Sequence, residues 1–150
     1  MTVDDGSAAV RLARSDEEIC RCLPVMKELR TALMESEFVA QVRRIEQGGF
    51  RLAYAEGGGV VKAVAGFRIM QNLASGKFLY VDDLVTDSRE RSRGYGHQLF
   101  DWLVEHARSN GCEALTLDSG VQRFGAHRFY LRNRMDITSH HFFLTLKQPG

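Results

Sequence analysis

The chain has 150 residues, 44% of them hydrophobic and 26% charged, with a formal net charge of +1. That length suits one folded domain, here residues 1–150 with an ordered core over about 10–146, and the composition is too apolar for a disordered chain. The charge balance offers no general attraction for a polyanion, which argues against nucleic-acid binding as the main task.

Cys20, Cys22 and Cys112 form neither a disulfide framework nor a zinc site within one chain, and no apolar run reaches the length of a membrane span. We therefore expect a cytoplasmic protein with no metal and with neither nucleic acid nor membrane as partner.

Residues 10–13 (VRLA) alternate like a first strand. Ser15 and Glu18 then have the spacing of a capping box, and Ile19, Leu23, Met26, Leu29 and Leu33 keep helical spacing behind it. Pro24 removes a backbone donor and is expected to bend or divide that helix. A second helix is expected over about 36–47, stopped by Gly48 and Gly49.

The period then changes from helix to strand. FRLAYAE, GGG and VVKAVAGFRIM read as a hairpin with a glycine turn, and residues 77–86 (KFLYVDDLVT) as a third strand. Asp82 and Asp83 stand in the middle of that strand, where a buried strand does not normally carry charge. Residues 94–110 form the clearest helix, with Leu99, Leu103 and Ala107 on one stripe, followed by a strand (EALTLD), a helix (VQRFGAHRFYLRN) and a closing strand (ITSHHFFLTL). The order predicts an α/β fold with a mixed, mostly antiparallel sheet flanked by helices.

Between the third strand and its helix lies RERSRGYG. Gly94 and Gly96 would place unpaired main-chain amides at a helix start, a place that suits an anion such as a diphosphate. The helix end itself contributes only about 0.3–1 kcal/mol per charge. Direct hydrogen bonds and the nearby Arg89, Arg91 and Arg93 must therefore supply most of the affinity. A dinucleotide fingerprint is absent because Leu99 stands where its third glycine belongs, and no Gly-Lys-Ser/Thr follows to make a P-loop.

Residues 79–112, LYVDDLVTDSRERSRGYGHQLFDWLVEHARSNGC, resemble the acetyl-CoA-binding core of the GNAT N-acetyltransferase superfamily, whose Arg/Gln-x-x-Gly-x-Gly/Ala pattern is met by Arg91, Gly94 and Gly96. A second signature of that family, Ala followed three and four residues later by Phe-Tyr, is met by Ala126, Phe129 and Tyr130. The chain departs from the family where Asn and Gly-Phe are frequent, carrying Arg123 and Arg134-Met135 instead.

The resemblance implies a sheet splayed between residues 81–86 and 114–118, with the pantetheine arm in the gap beside Leu84, Val85 and Thr86. It implies a diphosphate held by Arg91, Ser92, Arg93, Gly94, Tyr95, Gly96 and His97. The implied reaction transfers an acetyl group from acetyl-CoA to a primary amine, by direct attack through a tetrahedral intermediate whose oxyanion meets the Val85 amide.

Asp82 or Asp83 would then take the proton from the amine, and the resemblance assigns Tyr130 to protonating the leaving thiolate. Because successive strand residues face opposite ways, only one aspartate is expected to face the amine, and Asp82 is the first choice. Glu35 and Glu37, with the two aspartates, hint at a cationic small-molecule or peptide amine. An exposed edge of the closing strand is compatible with a homodimer. Two other readings stay open from the sequence: a non-catalytic acyl-CoA-binding sensor or docking domain, and a nucleotide-binding regulatory module.

Overall fold

The computed structural model describes residues 9–148. Five strands form one sheet in the spatial order β1 (Ala9–Leu12), β2 (Arg51–Gly57), β3 (Val60–Asn72), β4 (Gly76–Thr86), β5 (Ala114–Leu117). The first four pair antiparallel, and β5 runs parallel to β4. The helices are α1 (Asp16–Leu29), α2 (Glu35–Glu46), α3 (Tyr95–Ser109) and α4 (Phe124–Arg132).

Helix α1 starts at the predicted capping box. The Ser15 hydroxyl accepts from the Glu18 amide at 3.1 Å, and Glu18 accepts from the Ser15 amide at 2.9 Å. The Tyr54 hydroxyl also donates to Glu18, and these bonds hold its carboxyl down at about 2. Of the two expected outcomes, a bend or a division, division does not occur: α1 runs through Pro24. It is exposed, while Leu23, Val25 and Met26 around it are buried, so packing on the sheet offsets the one missing backbone bond.

The alternation along β2 decides which helix covers which face. Leu52 and Tyr54 join Val64 and Val85 in a core with Ile19, Leu23, Met26, Phe38 and Val42 from α1 and α2. Ala53 and Ala55, with Ala63, Ala65, Phe67, Leu79 and Val81, form the other core under Leu99, Leu103 and Ala107 of α3. The small alanines let α3 lie close to the sheet. Trp102 does pack, its ring stacked on His106 at 4.7 Å.

The chain gathers into two compact units that divide after Leu117. In the second unit α4 has no buried residue, and no helix or strand follows it among the described residues. The expected closing strand ITSHHFFLTL is therefore not formed. Phe142, Phe143, Leu144 and Leu146 are all more than four-fifths exposed. Strand propensity becomes a strand only when a neighbouring strand takes up its hydrogen bonds, and the adjacent pairs His140-His141 and Phe142-Phe143 also break the alternation that would give this segment one apolar face. Among the described residues no helix is long and apolar enough to cross a membrane.

Candidate active site

The two aspartates of β4 sit at a break in its pairing. Gly66 of β3 stands opposite Asp83 and Phe67 opposite Val81, so Asp82 is an extra residue, a β-bulge. The packing records the same insertion. Val81 and Val85 are four apart and would share a face in a regular strand, yet they belong to the cores on opposite sides of the sheet. The expectation that the two aspartates face opposite ways is thus corrected, because the inserted residue lets both carboxylates lie on the α1/α2 side.

Each carboxylate has its own guanidinium. Arg68 of β3 forks Asp82, donating from Nη2 to Oδ2 at 2.6 Å and from Nε at 3.1 Å, with its guanidinium 5.6 Å from the centre of the Phe50 ring. Arg30, the C-cap of α1, donates from Nε to Asp83 Oδ1 at 2.7 Å and from Nη2 to the Asp82 main-chain oxygen at 2.9 Å.

Asp83 has its remaining oxygen over Gly66, where a Cβ would stand 2.5 Å from Oδ2 and 2.6 Å from Phe50 Cζ. Burial pushes the Asp83 carboxyl above its ordinary value, with Arg30 acting against that rise. The Asp82 carboxylate is held mainly through Oδ2, with Arg68 Nε reaching Oδ1 at 3.3 Å, whereas Arg30 holds Asp83 through Oδ1. The residues that sequence reasoning missed are Arg30, Arg68 and Gly66. Only Gly66 left a signal, since a lone glycine within a strand pattern marks a bulge or a close approach.

Pairing between β4 and β5 runs from Phe78–Ala114 to Val81–Leu117 and stops there. Asp82 to Thr86 keep β3 on one side, and no described strand pairs with them on the other. Leu84, Val85 and Thr86 thus lie along a one-sided edge, the condition implied for the pantetheine strand.

The turn that follows is built around Asp87, 4% exposed. Its carboxylate accepts from the Arg89 amide at 3.0 Å and from the Arg89 guanidinium at 3.1 and 2.9 Å, and these bonds hold it down at about 2. Lys62 of β3 pairs with Glu90 at 2.8 Å, and Glu90 also takes Arg93 at 3.4 Å. Of the three arginines expected to attract a diphosphate, Arg89 and Arg93 are committed to shaping the turn. Arg91 is exposed and makes no ion pair among the described residues.

Gly94 caps α3 in the left-handed region at φ 86°, a conformation that favours glycine, and no side chain caps the helix. The amides of Gly94, Tyr95 and Gly96 have no acceptor inside the helix. Gly96 is pressed against the end of β4, where a Cβ would come within 2.8 Å of Thr86 Oγ1. The Tyr95 ring turns away to pack on the α3-side core and over Gly57, leaving its main chain at the turn. His97 pairs with Asp101 at 3.3 Å, and Ser92 is exposed with φ 72°.

In the second unit Tyr130 is half-buried on α4, its ring edge-on to Phe129 at 5.7 Å. Burial raises its hydroxyl pKa, and a hydrogen bond from Arg123 acts the other way. Arg123 therefore makes a side-chain contact of its own at the position where the family frequently carries Asn.

A sequence model of the acetyltransferase (GNAT) family matches residues 14–134. The chain belongs to the GNAT acetyltransferase family. An uncharacterized N-acetyltransferase of Bacillus subtilis, YhdJ, is 33% identical over 117 residues, covering 77% of this chain and 82% of that protein. An aminoalkylphosphonate N-acetyltransferase of Salmonella typhimurium is 40% identical over 52 residues, about a third of each chain. Among solved structures, the aminoglycoside N-acetyltransferase AAC(6')-Iy in complex with CoA superposes with a TM-score of 0.83 at 16% identity, over 98% of this chain and 100% of that one. The protein is accordingly an N-acetyltransferase with the GNAT fold, and the sensor and nucleotide-module readings fall away.

Proposed function

We propose that this enzyme transfers an acetyl group from acetyl-CoA to the primary amine of a small acceptor, with Asp83 taking up the amine proton. The observation that carries the reading is the junction of β4, turn and α3. A one-sided strand edge ends at Thr86, Gly96 packs on that residue, and the unpaired amides of Gly94, Tyr95 and Gly96 follow at once. The chemistry of these donors fits a diphosphate, since the left-handed Gly94 brings no side chain over them and Arg91 supplies an uncommitted positive charge. The pantetheine arm would then run along Leu84, Val85 and Thr86, with the Val85 amide available to a developing oxyanion.

An amine with an ordinary pKa is mostly protonated at neutral pH and must lose a proton before it attacks. A carboxylate whose proton affinity is raised by burial is a better acceptor for that proton than an ordinary one. Asp82 serves as a charged neighbour held by Arg68. For the leaving group, the Ala126, Phe129 and Tyr130 signature supports Tyr130 as the proton donor to the thiolate. The acceptor class is a small amine, in line with the aminoglycoside and aminoalkylphosphonate named for the relatives.

The test is a thiol-release assay with acetyl-CoA over a panel of amines, run on the native chain and on Asp83→Asn. Loss of a general base costs about 10²–10⁴-fold in turnover. We expect that loss in Asp83→Asn, together with disappearance of the acid limb of the rate profile. A variant that keeps both turnover and acid limb removes Asp83 from the reaction.

A further inference from the structure

Among the described residues the Arg30 guanidinium is the one side chain that donates a hydrogen bond to the Asp83 carboxylate, and nothing in the family motifs points to it. We propose that Arg30 is a positioning residue that fixes the Asp83 carboxylate and sets the pH at which it takes up a proton. The inference rests on the assignment of Asp83 as the base and deepens it.

Three features of the geometry carry it. First, Arg30 spans the bulge, with Nε on Asp83 Oδ1 at 2.7 Å and Nη2 on the Asp82 carbonyl at 2.9 Å, so one planar group ties the carboxylate to the main chain of the inserted residue. A guanidinium suits that double contact because its donors lie in a fixed fork. Second, the guanidinium is carried on fixed main chain, since the Arg30 amide donates to Met26 O at 2.9 Å and closes the last turn of α1. Third, the pair is asymmetric. The Arg30 side chain is 53% exposed and that of Asp83 only 12%. Removing Arg30 therefore leaves solvent on one side and a buried carboxylate on the other.

The charged groups facing Asp83 are few. Arg30 comes from the end of α1, Arg68 from β3 and Asp82 from β4 itself, while Gly66 and Phe50 add no charge. Arg68 is already forked by Asp82, so these two oppose each other at Asp83. Burial raises the carboxyl, and the hydrogen bond and charge of Arg30 are what chiefly oppose it. The sign follows: without Arg30 the charged form of Asp83 loses its main support, and the group takes up its proton at higher pH.

The experiment compares the native chain with Arg30→Gln and Arg30→Lys. The Asp83 carboxyl is followed by carbon-13 NMR in aspartate-labelled protein, its signal assigned by its loss in Asp83→Asn, and the acid limb of kcat/KM is measured alongside. An opposite charge at this range shifts a carboxylate by about 1–3 units, and half-exposure of Arg30 puts the expected rise in Arg30→Gln near the lower end, about one unit.

Arg30→Lys, which keeps the charge but loses the fork, is expected to recover most of the shift. It also serves as the test variant if Arg30→Gln does not fold, a smaller rise in the same direction being expected. A purely structural role would lower thermal stability and leave the NMR midpoint where it is, and that result in a folded variant overturns the proposal. Movement of the NMR midpoint without movement of the acid limb upholds the Arg30 inference and removes Asp83 as the base.

Discussion

The two halves of β4 have the same backbone and opposite tasks. Phe78, Leu79 and Val81 are at most 6% exposed, and the strand there is paired on both sides. From Asp82 to Thr86 the strand keeps one partner, and three of its five residues, Asp82, Asp83 and Thr86, are polar. The change comes at the inserted Asp82. One extra residue turns the following side chains over and brings two carboxylates to the same side of the sheet, and the β5 pairing stops at the preceding position, where β5 itself ends. The strand thus passes from two-sided to one-sided pairing within a single peptide, although Val85 beyond the bulge still packs in the α1/α2-side core.

The largest effect is expected from filling the space over Gly66, against which Asp83 packs. Gly66→Val puts a branched side chain where even a Cβ would stand 2.5 Å from Asp83 Oδ2 and 2.6 Å from Phe50 Cζ. The aromatic ring and the carboxylate both have to move. Overpacking of this kind costs about 1–3 kcal/mol of stability. Turnover is expected to fall by about 10²-fold or more, because displacing the carboxylate proposed as base costs much of what a general base contributes. Thermal unfolding and the thiol-release assay read the two effects separately, and a variant with native turnover would show that the packing of Asp83 over Gly66 is irrelevant to the reaction.

This comparison also shows which parts of the molecule the sequence makes legible. The capping box of α1, the hairpin, the α3 stripe and the glycines of the turn are local patterns, and each is found within a residue or two of its expected place. The bulge is not local. Two adjacent aspartates do not say which is inserted, since that depends on β3 register, and their partners Arg30 and Arg68 stand 53 and 14 positions away in sequence. The missing closing strand fails for a related reason: ITSHHFFLTL has the composition of a strand, yet composition cannot supply the neighbour that a strand needs.

A second variant acts at the far end of β4, where Thr86 meets the start of α3. Gly96→Ala adds a Cβ within 2.8 Å of Thr86 Oγ1, so either the threonine side chain or the start of α3 has to give way. Helix propensity favours alanine over glycine, so the fold is expected to hold. The start of α3 shifts from Thr86, and with it the amides proposed to hold the diphosphate. The Michaelis constant for acetyl-CoA is expected to rise about tenfold, the loss of roughly one charge-assisted hydrogen bond, with turnover at saturation much less affected. An unchanged constant would separate the turn from cofactor binding.

The smallest effect concerns the turn's own support. Asp87 is nearly buried and holds Arg89 and its amide, with a carboxyl at about 2 in the folded chain against an ordinary 3.8. A depressed carboxylate stabilises the fold above its unfolded pKa, and the contribution is lost as pH falls through the interval from about 4 to about 2. Asp87→Asn removes that contribution while keeping the shape of the side chain. Because Arg89 lies largely in solvent, with its side chain 83% exposed, the expected cost is about 1 kcal/mol, below the usual range for a hydrogen bond to a charged group and near the top of that for an exposed ion pair. Melting curves of the two chains are therefore expected to differ most near neutrality and to converge as the pH approaches 2. Absence of a gap at neutral pH would mean that Asp87 supports the turn by its shape, which asparagine keeps, and not by its charge.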